Sequence, residues 1–221
     1  MRRTLPLAIL AALVTTPAAA ADPGFYFGFD LGQSEFDIDQ NAIDRDIIGA
    51  IEQLGLTVVA GESEVSTDAF SYGVFLGYQP FRFLAVEAAY VDLAEAEYKA
   101  RVTVTDGLQA FDTNSRLTAE SAGPTLSLLG MLPIGPWDLY ARVGVYFADT
   151  DVSARTQVDD VSLTLSDSAN TEEFLWGLGA GYTAGQWTLR LDYQQFTSVG
   201  AENSTGEVDV DRLVLGAVYR F

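Results

Sequence analysis

An all-β, eight-stranded antiparallel up-and-down barrel that crosses a membrane is the fold class the sequence predicts. Three observations predict it. The chain opens with an export leader, period-two alternation recurs eight times with connections alternately short and long, and charge keeps to one phase of those strands.

The leader comes first. Arg2 and Arg3 form a positive start, Leu5 to Val14 is apolar, Pro17 breaks the run, and Ala18 to Ala21 offers small residues for cleavage. The apolar run falls short of the about 20 residues a spanning helix needs. Residues 1–21 therefore read as a signal peptide and 22–221 as the barrel domain. The most apolar later run, Leu126 to Ile134, is interrupted by Ser127, Gly130 and Pro133, so no membrane helix is expected there.

The balance of charge narrows the function classes. The full chain carries a formal charge of −19. Without Arg2 and Arg3, 10 basic side chains stand against 31 acidic ones, a balance of −21. That surface repels nucleic acid, which requires a basic footprint. With 48% hydrophobic residues the chain is not a disordered one. The absence of cysteine excludes a disulfide scaffold and thiol chemistry.

The alternation places strands at 24–37, 68–80, 82–97, 117–132, 137–151, 172–183, 186–197 and 209–221. Short links follow the second, fourth and sixth: Pro80-Phe81, Pro133-Ile134-Gly135-Pro136 and Ala184-Gly185. Long links follow the odd strands. Short periplasmic turns and long extracellular loops are the asymmetry of an outer-membrane barrel.

One phase of each strand is free of charge through its central part, as in Phe25, Phe27, Phe29 and Leu31, or Leu213, Leu215, Ala217 and Tyr219. A lipid-facing Arg or Lys at the midplane costs roughly 2–4 kcal/mol, which explains the clean stripe. The opposite phase carries Asp30, Glu87, Arg142, Arg190, Asp192, Arg212 and Arg220, together with many glycines. In so narrow a barrel side chains fill the interior, and glycines make room for Tyr26, Phe75 and Tyr140. A soluble barrel would have to bury those charges. A two-sheet sandwich is the stronger soluble rival, set against the leader and the loop asymmetry. Trp137, Trp187, Tyr219 and Phe221 at one rim, with Tyr90, Phe147 and Phe174 at the other, read as interfacial girdles.

The ending Leu213-Val214-Leu215-Gly216-Ala217-Val218-Tyr219-Arg220-Phe221 resembles the terminal strand of OmpA-like and related small porin-family barrels. Val86 to Leu93 and Gly123 to Leu129 are similar to that family as well. The resemblance covers essentially the whole mature chain. It implies that Tyr219 and Phe221 form the signal read by the outer-membrane assembly machinery. Relatives that continue into a periplasmic peptidoglycan-binding domain have no counterpart here past Phe221, so no wall-tethering role is expected.

Barrel enzymes that act on lipids or peptides resemble one another in relying on a histidine base, and this chain has no histidine. No catalytic residue, metal site or cofactor is expected. The constellation left is the lumen set Asp30, Glu87, Arg142, Arg190, Asp192 and Arg212, expected to form one salt-bridge network across the barrel. By the family resemblance, paired lumen charges can block a thin water path or, re-paired, open one.

Residues 38–67 form the longest expected loop. A helix is predicted at 42–54, with Asn41 as N-cap, Gly55 as stop, and Ile43, Ile47, Ile51 and Leu54 on one face. It reads either as a lid, plug or contact patch, or as a short helix packed on neighbouring loops. Asp37 with Asp39, Asp44 with Asp46, Glu62 with Glu64, Asp149 with Asp151, and Asp159 with Asp160 form acidic pairs. They read as a solvated acidic surface, or as carboxylates bridged by divalent ions to lipopolysaccharide phosphates.

The expected function is structural, with loop-mediated surface contacts. The alternative is a narrow or gated porin-like channel for small solutes or hydrophobic molecules. Expected partners are outer-membrane lipid, lipopolysaccharide and the assembly machinery. An adhesin role rests on loop length alone.

Overall fold

The computed structural model describes residues 24–38, 40–53, 57–105, 110–158, 161–201 and 206–221. Its elements are β1 (Gly24–Phe36), α1 (Gln40–Gln53), β2 (Thr57–Ser66), β3 (Asp68–Phe81), β4 (Leu84–Thr105), β5 (Ala110–Ile134), β6 (Trp137–Val158), β7 (Val161–Ala184), β8 (Trp187–Ala201) and β9 (Gly206–Arg220). The leader expected over 1–21 lies outside the described residues.

Eight strands close a ring in the order β1-β3-β4-β5-β6-β7-β8-β9, with β9 pairing back onto β1 and every neighbour antiparallel. Alternation decides which way each side chain points. Leu128 is 44% exposed while its neighbour Leu129 is 0% exposed. The exposed phase includes Phe27, Leu126, Leu189, Leu213 and Leu215, and the buried phase includes Glu87, Arg190 and Arg212. The wall is apolar outside and charged inside, the arrangement lipid requires.

Tight turns join the strands at one end. The links sit later than the composition indicates: Arg82–Phe83, Gly135–Pro136 and Gly185–Gln186 are the turns, and Phe81, Ile134 and Ala184 still belong to strands. Gly135 and Gly185 take φ of 66° and 65° at the first turn position, the II′ pattern, for which glycine carries no steric penalty. Pro80 is accommodated where the β3–β4 register shifts between Tyr78 and Phe81, because it has no N–H to give the ladder.

The opposite end departs further from expectation. Much of the expected long loops is strand: β4 and β5 pair from Glu95–Glu120 up to Thr105–Ala110, and β6 and β7 pair up to Val158–Val161. Within the expected 38–67 loop, β2 pairs with the outer part of β4. Val, Thr and Ser carry the β structure here, and hydroxyls bond across the ladders at Ser115–Thr156 (3.2 Å) and Thr118–Ser153 (2.8 Å). Tyr98, Ala100 and Val102 alternate with Lys99 and Arg101, and Val152 and Ala154 with Ser153 and Arg155, so the period-two pattern continues here with the apolar phase turned inward and the charged phase outward.

The result is a wall of unequal height. β4 to β7 run 22 to 25 residues and β2 continues the wall above β3 along the same edge of β4, whereas β1, β8 and β9 run 13 to 15. Bulges bend the wall at Asp92–Glu95 in β4 and Phe196–Val199 in β8. Each contains a non-glycine residue at positive φ, Ala94 (67°) and Ser198 (56°). Each is held by its own N–H donating to a carboxylate, Asp92 Oδ1 at 2.8 Å and Asp209 Oδ1 at 2.9 Å.

Candidate functional site

The inward phase brings the six lumen charges into two groups rather than one. In the first, Glu87 sits at the centre. Arg142 Nη2 donates to its Oε2 at 2.7 Å, and Arg190 Nη1 donates to Oε1 at 2.5 Å. The Tyr26 hydroxyl donates to the same Oε1 at 2.8 Å. Asp192 stands 3.5 Å from Arg142 Nη2. The Arg190 guanidinium carbon lies 5.2, 5.5 and 5.2 Å from the ring centres of Tyr26, Phe75 and Tyr140, so three aromatic rings surround the charge that pairs with Glu87.

In the second group Arg212, fully buried, donates to Asp30, to Ser71 Oγ at 3.1 Å and to Gln194 Oε1 at 3.3 Å. Among the described residues no ion pair joins Asp30 or Arg212 to the Glu87 group. The expected single network is thus two. The register explains the split, because Asp30 faces Gly73 and Gly216 on its neighbours, while Glu87 faces Gly77 and Ser127.

Glycines make both groups possible. A Cβ on Gly77 would overlap the Tyr26 ring, and one on Gly179 would overlap the Tyr140 ring. Each tyrosine lies across the bare backbone of the neighbouring strand and from there reaches the centre of the lumen.

Sequence reasoning missed three participants. Ser71 and Gln194 complete the Arg212 shell, and Gln79 accepts from Arg220 Nη1 at 2.6 Å near the turn end. All three lie in the inward phase, which could have identified them. It also missed a plug. Toward the loop end the lumen is filled by Phe36, Val91, Leu93, Tyr146, Leu175, Phe196 and Val210, each at most 3% exposed. The charges are therefore covered by an apolar layer above, with Tyr26, Phe75, Met131 and Tyr140 packed below.

Tyr219 and Phe221 face outward at the turn end. Tyr219 packs with Trp187 at 5.1 Å and with Phe221 at 5.5 Å, and the Phe221 N–H donates to the Phe25 carbonyl at 3.2 Å. Trp137 with Tyr182 continues this rim.

The helix spans Gln40–Gln53, so Asn41 lies in its first turn rather than capping it, and Leu54 and Gly55 lie outside the described residues. α1 rests on the inner face of the projecting wall. Asp44 accepts from the Tyr98 hydroxyl at 2.6 Å and from Ser63 Oγ at 3.0 Å, and Gln40 Nε2 donates to Ser63 Oγ at 2.8 Å. Burial first, then the bond to Asp44, pushes the Tyr98 phenol up to about 12. Gln40, Asp44 and Ile48 line this contact. Of the expected Ile43–Ile47–Ile51–Leu54 stripe, only Ile51 has a described side chain. Of the acidic pairs, Asp39, the side chain of Asp46 and Asp159–Asp160 fall outside what is described. Among the described residues no group of three or more carboxylates is placed to hold a metal ion.

A family model described as OmpA-like transmembrane domain matches residues 20–221. None of the curated proteins compared with the chain matches it. Among solved structures, Neisserial surface protein A is similar at 15% identity and a TM-score of 0.45, over 92% of this chain and 100% of that one. Ail of Yersinia pestis is similar at 14% identity and 0.40, over 90% and 97%. OprG of Pseudomonas aeruginosa is similar at 14% identity and 0.40, over 89% and 95%.

Proposed function

The chain belongs to the OmpA-like transmembrane domain family and is an integral protein of the bacterial outer membrane, and from that premise we propose a closed structural barrel whose projecting wall makes its surface contacts. The observation that carries this reading is the filled lumen. Glu87 is locked between two arginines beneath an apolar plug, and an eight-stranded interior is only wide enough for its own side chains. We read the protein as non-enzymatic, because a chain without histidine lacks the base on which hydrolytic barrel chemistry relies. Tyr219 and Phe221, on the outer rim of the last strand, are read as the feature the assembly machinery engages.

The second reading is a gate. Two arginines share Glu87 while Asp192 stands close to one of them, so an alternative pairing of the same charges is within reach. Single-channel recording of the refolded mature protein in planar bilayers tests both readings. The closed barrel is silent. Discrete conductance that changes when Arg142 is replaced by Met would put the gate in its place.

A further inference from the structure

The wall that rises beyond the lipid carries a feature the closed-barrel reading leaves unused. In a chain of net charge −19, Lys99, Arg116 and Arg155 stand directly opposite one another on β4, β5 and β6. Like charges in facing cross-strand positions repel, so Arg116 between Lys99 and Arg155 works against the sheet that displays it, while Glu64 faces Lys99 from β2 at the row's end. Glu97 relieves part of this, taking Lys99 at 2.5 Å and Arg116 at 2.9 Å. Arg155 has only a long contact to Thr164 Oγ1 at 3.4 Å, and no ion pair among the described residues.

The row lies on the outward face of the wall, in the same phase that shows Leu126 and Leu128 to lipid lower on β5. That face meets whatever covers the surrounding leaflet, not the lumen. Its height identifies which part of the leaflet. Arg116 lies eight residues beyond Pro124, the partner of the rim residue Tyr90, and Arg155 lies eight beyond the rim residue Phe147. Eight residues span about 26 Å of strand, which at a tilt of about 40° lifts the row about 20 Å above the apolar band. Headgroups extend only about 5–8 Å past the hydrocarbon. The row therefore stands above the headgroup phosphates, at the level of the saccharide those lipids carry.

We propose that Lys99, Arg116 and Arg155 form a docking row for phosphate groups on the core saccharide of the surrounding lipopolysaccharide. This rests on the closed-barrel reading only for the wall's place in the membrane. Guanidinium forks suit phosphate oxygens, and the cross-strand hydroxyl pair Thr118–Ser153 beside the row suits sugar hydroxyls. Glu97 competes with the phosphate for two of the three cations.

The test titrates the refolded chain in detergent micelles with purified core oligosaccharide freed of its lipid, phosphorylated or enzymatically dephosphorylated. Heat-modifiable migration verifies folding of each variant. The phosphorylated form binds and the dephosphorylated form binds at least about tenfold more weakly, since charge-assisted bonds are lost. Arg116→Ser with Arg155→Ser matches that loss, Arg82→Ser at the turn end changes nothing, and Glu97→Gln tightens binding. Equal binding of the two saccharides, no binding of either, or a Glu97→Gln variant no tighter than the parent overturns the proposal. None of these outcomes touches the closed lumen, which conductance tests separately.

Discussion

Glu87 holds one arginine on each of its carboxylate oxygens, Arg142 on Oε2 and Arg190 on Oε1. Both guanidinium groups are nearly out of reach of solvent. Replacing Glu87 by Gln leaves two buried cations with a single nearby carboxylate, Asp192. Breaking a buried pair in this way costs roughly 3–5 kcal/mol. Denaturant unfolding of the refolded barrel in lipid vesicles measures it, and a loss below about 1 kcal/mol would show that the pairing contributes little.

The separation of the two lumen groups predicts independence. Asp30→Asn removes the carboxylate partner of Arg212 and costs several kcal/mol on its own, again on the order of a broken buried pair. Combined with Glu87→Gln, the two losses add to within about 0.5 kcal/mol, because the sites share no partner. A coupling above about 1 kcal/mol would reinstate the single network.

Gly77→Ala places a methyl group where the Tyr26 ring lies. The ring has to leave the bare backbone and with it the bond to Glu87. The expected cost is about 1–3 kcal/mol, the range for overpacking, and the paired change Gly77→Ala with Tyr26→Leu recovers part of it. The same denaturant assay reads the recovery.

Tyr98 links α1 to the wall in a pH-dependent way. Its phenol is neutral to a higher pH when docked than when free, rising from 10.0 to about 12. Docking is therefore fully supported below pH 10 and is lost as pH climbs from 10 through 12. Protease cleavage within α1 should increase across that window while the barrel stays folded. Tyr98→Phe should remove the step and raise cleavage at neutral pH about fivefold, the equivalent of one hydrogen bond of about 1 kcal/mol.

Leu128→Arg, on the lipid face, should cost roughly 2–4 kcal/mol, with a smaller loss when the same change is made at the rim residue Tyr90. Equal losses at both positions would mean the apolar band is not where the exposed phase puts it.

Strands, phase and closure were legible in the sequence because lipid imposes a rule that side chains cannot evade: an outward charge is costly at every position along the band. Glu87 and Arg142 fall in the phase opposite the apolar Val86 and Val143, which assigns them to the interior. Depth was less legible. Asp30 faces Gly73 whereas Glu87 faces Gly77, nearer the turn on the same strand, and the stagger between strands that sets this register leaves no mark in hydrophobicity. The outer hairpins keep the period, as in Tyr98-Lys99-Ala100-Arg101-Val102, but they turn charge outward and apolar side chains inward, the reverse of the rule that holds in lipid, so the charge-free outward stripe stops short of them. The apolar plug went unread for a related reason. Leu93, Leu175 and Phe196 sit in the phase that holds charge lower down, and one-face reasoning expected polarity along its whole length.

The uneven height of the wall gives this barrel a front and a back. A neighbour approaching along β8, β9 or β1 can come up to the lipid-facing surface itself. A neighbour approaching along β4 to β7 meets a standing sheet first, well above the bilayer. Lateral packing in a crowded membrane is then directional, and arrays of this protein would show preferred azimuths rather than the isotropic spacing of cylinders.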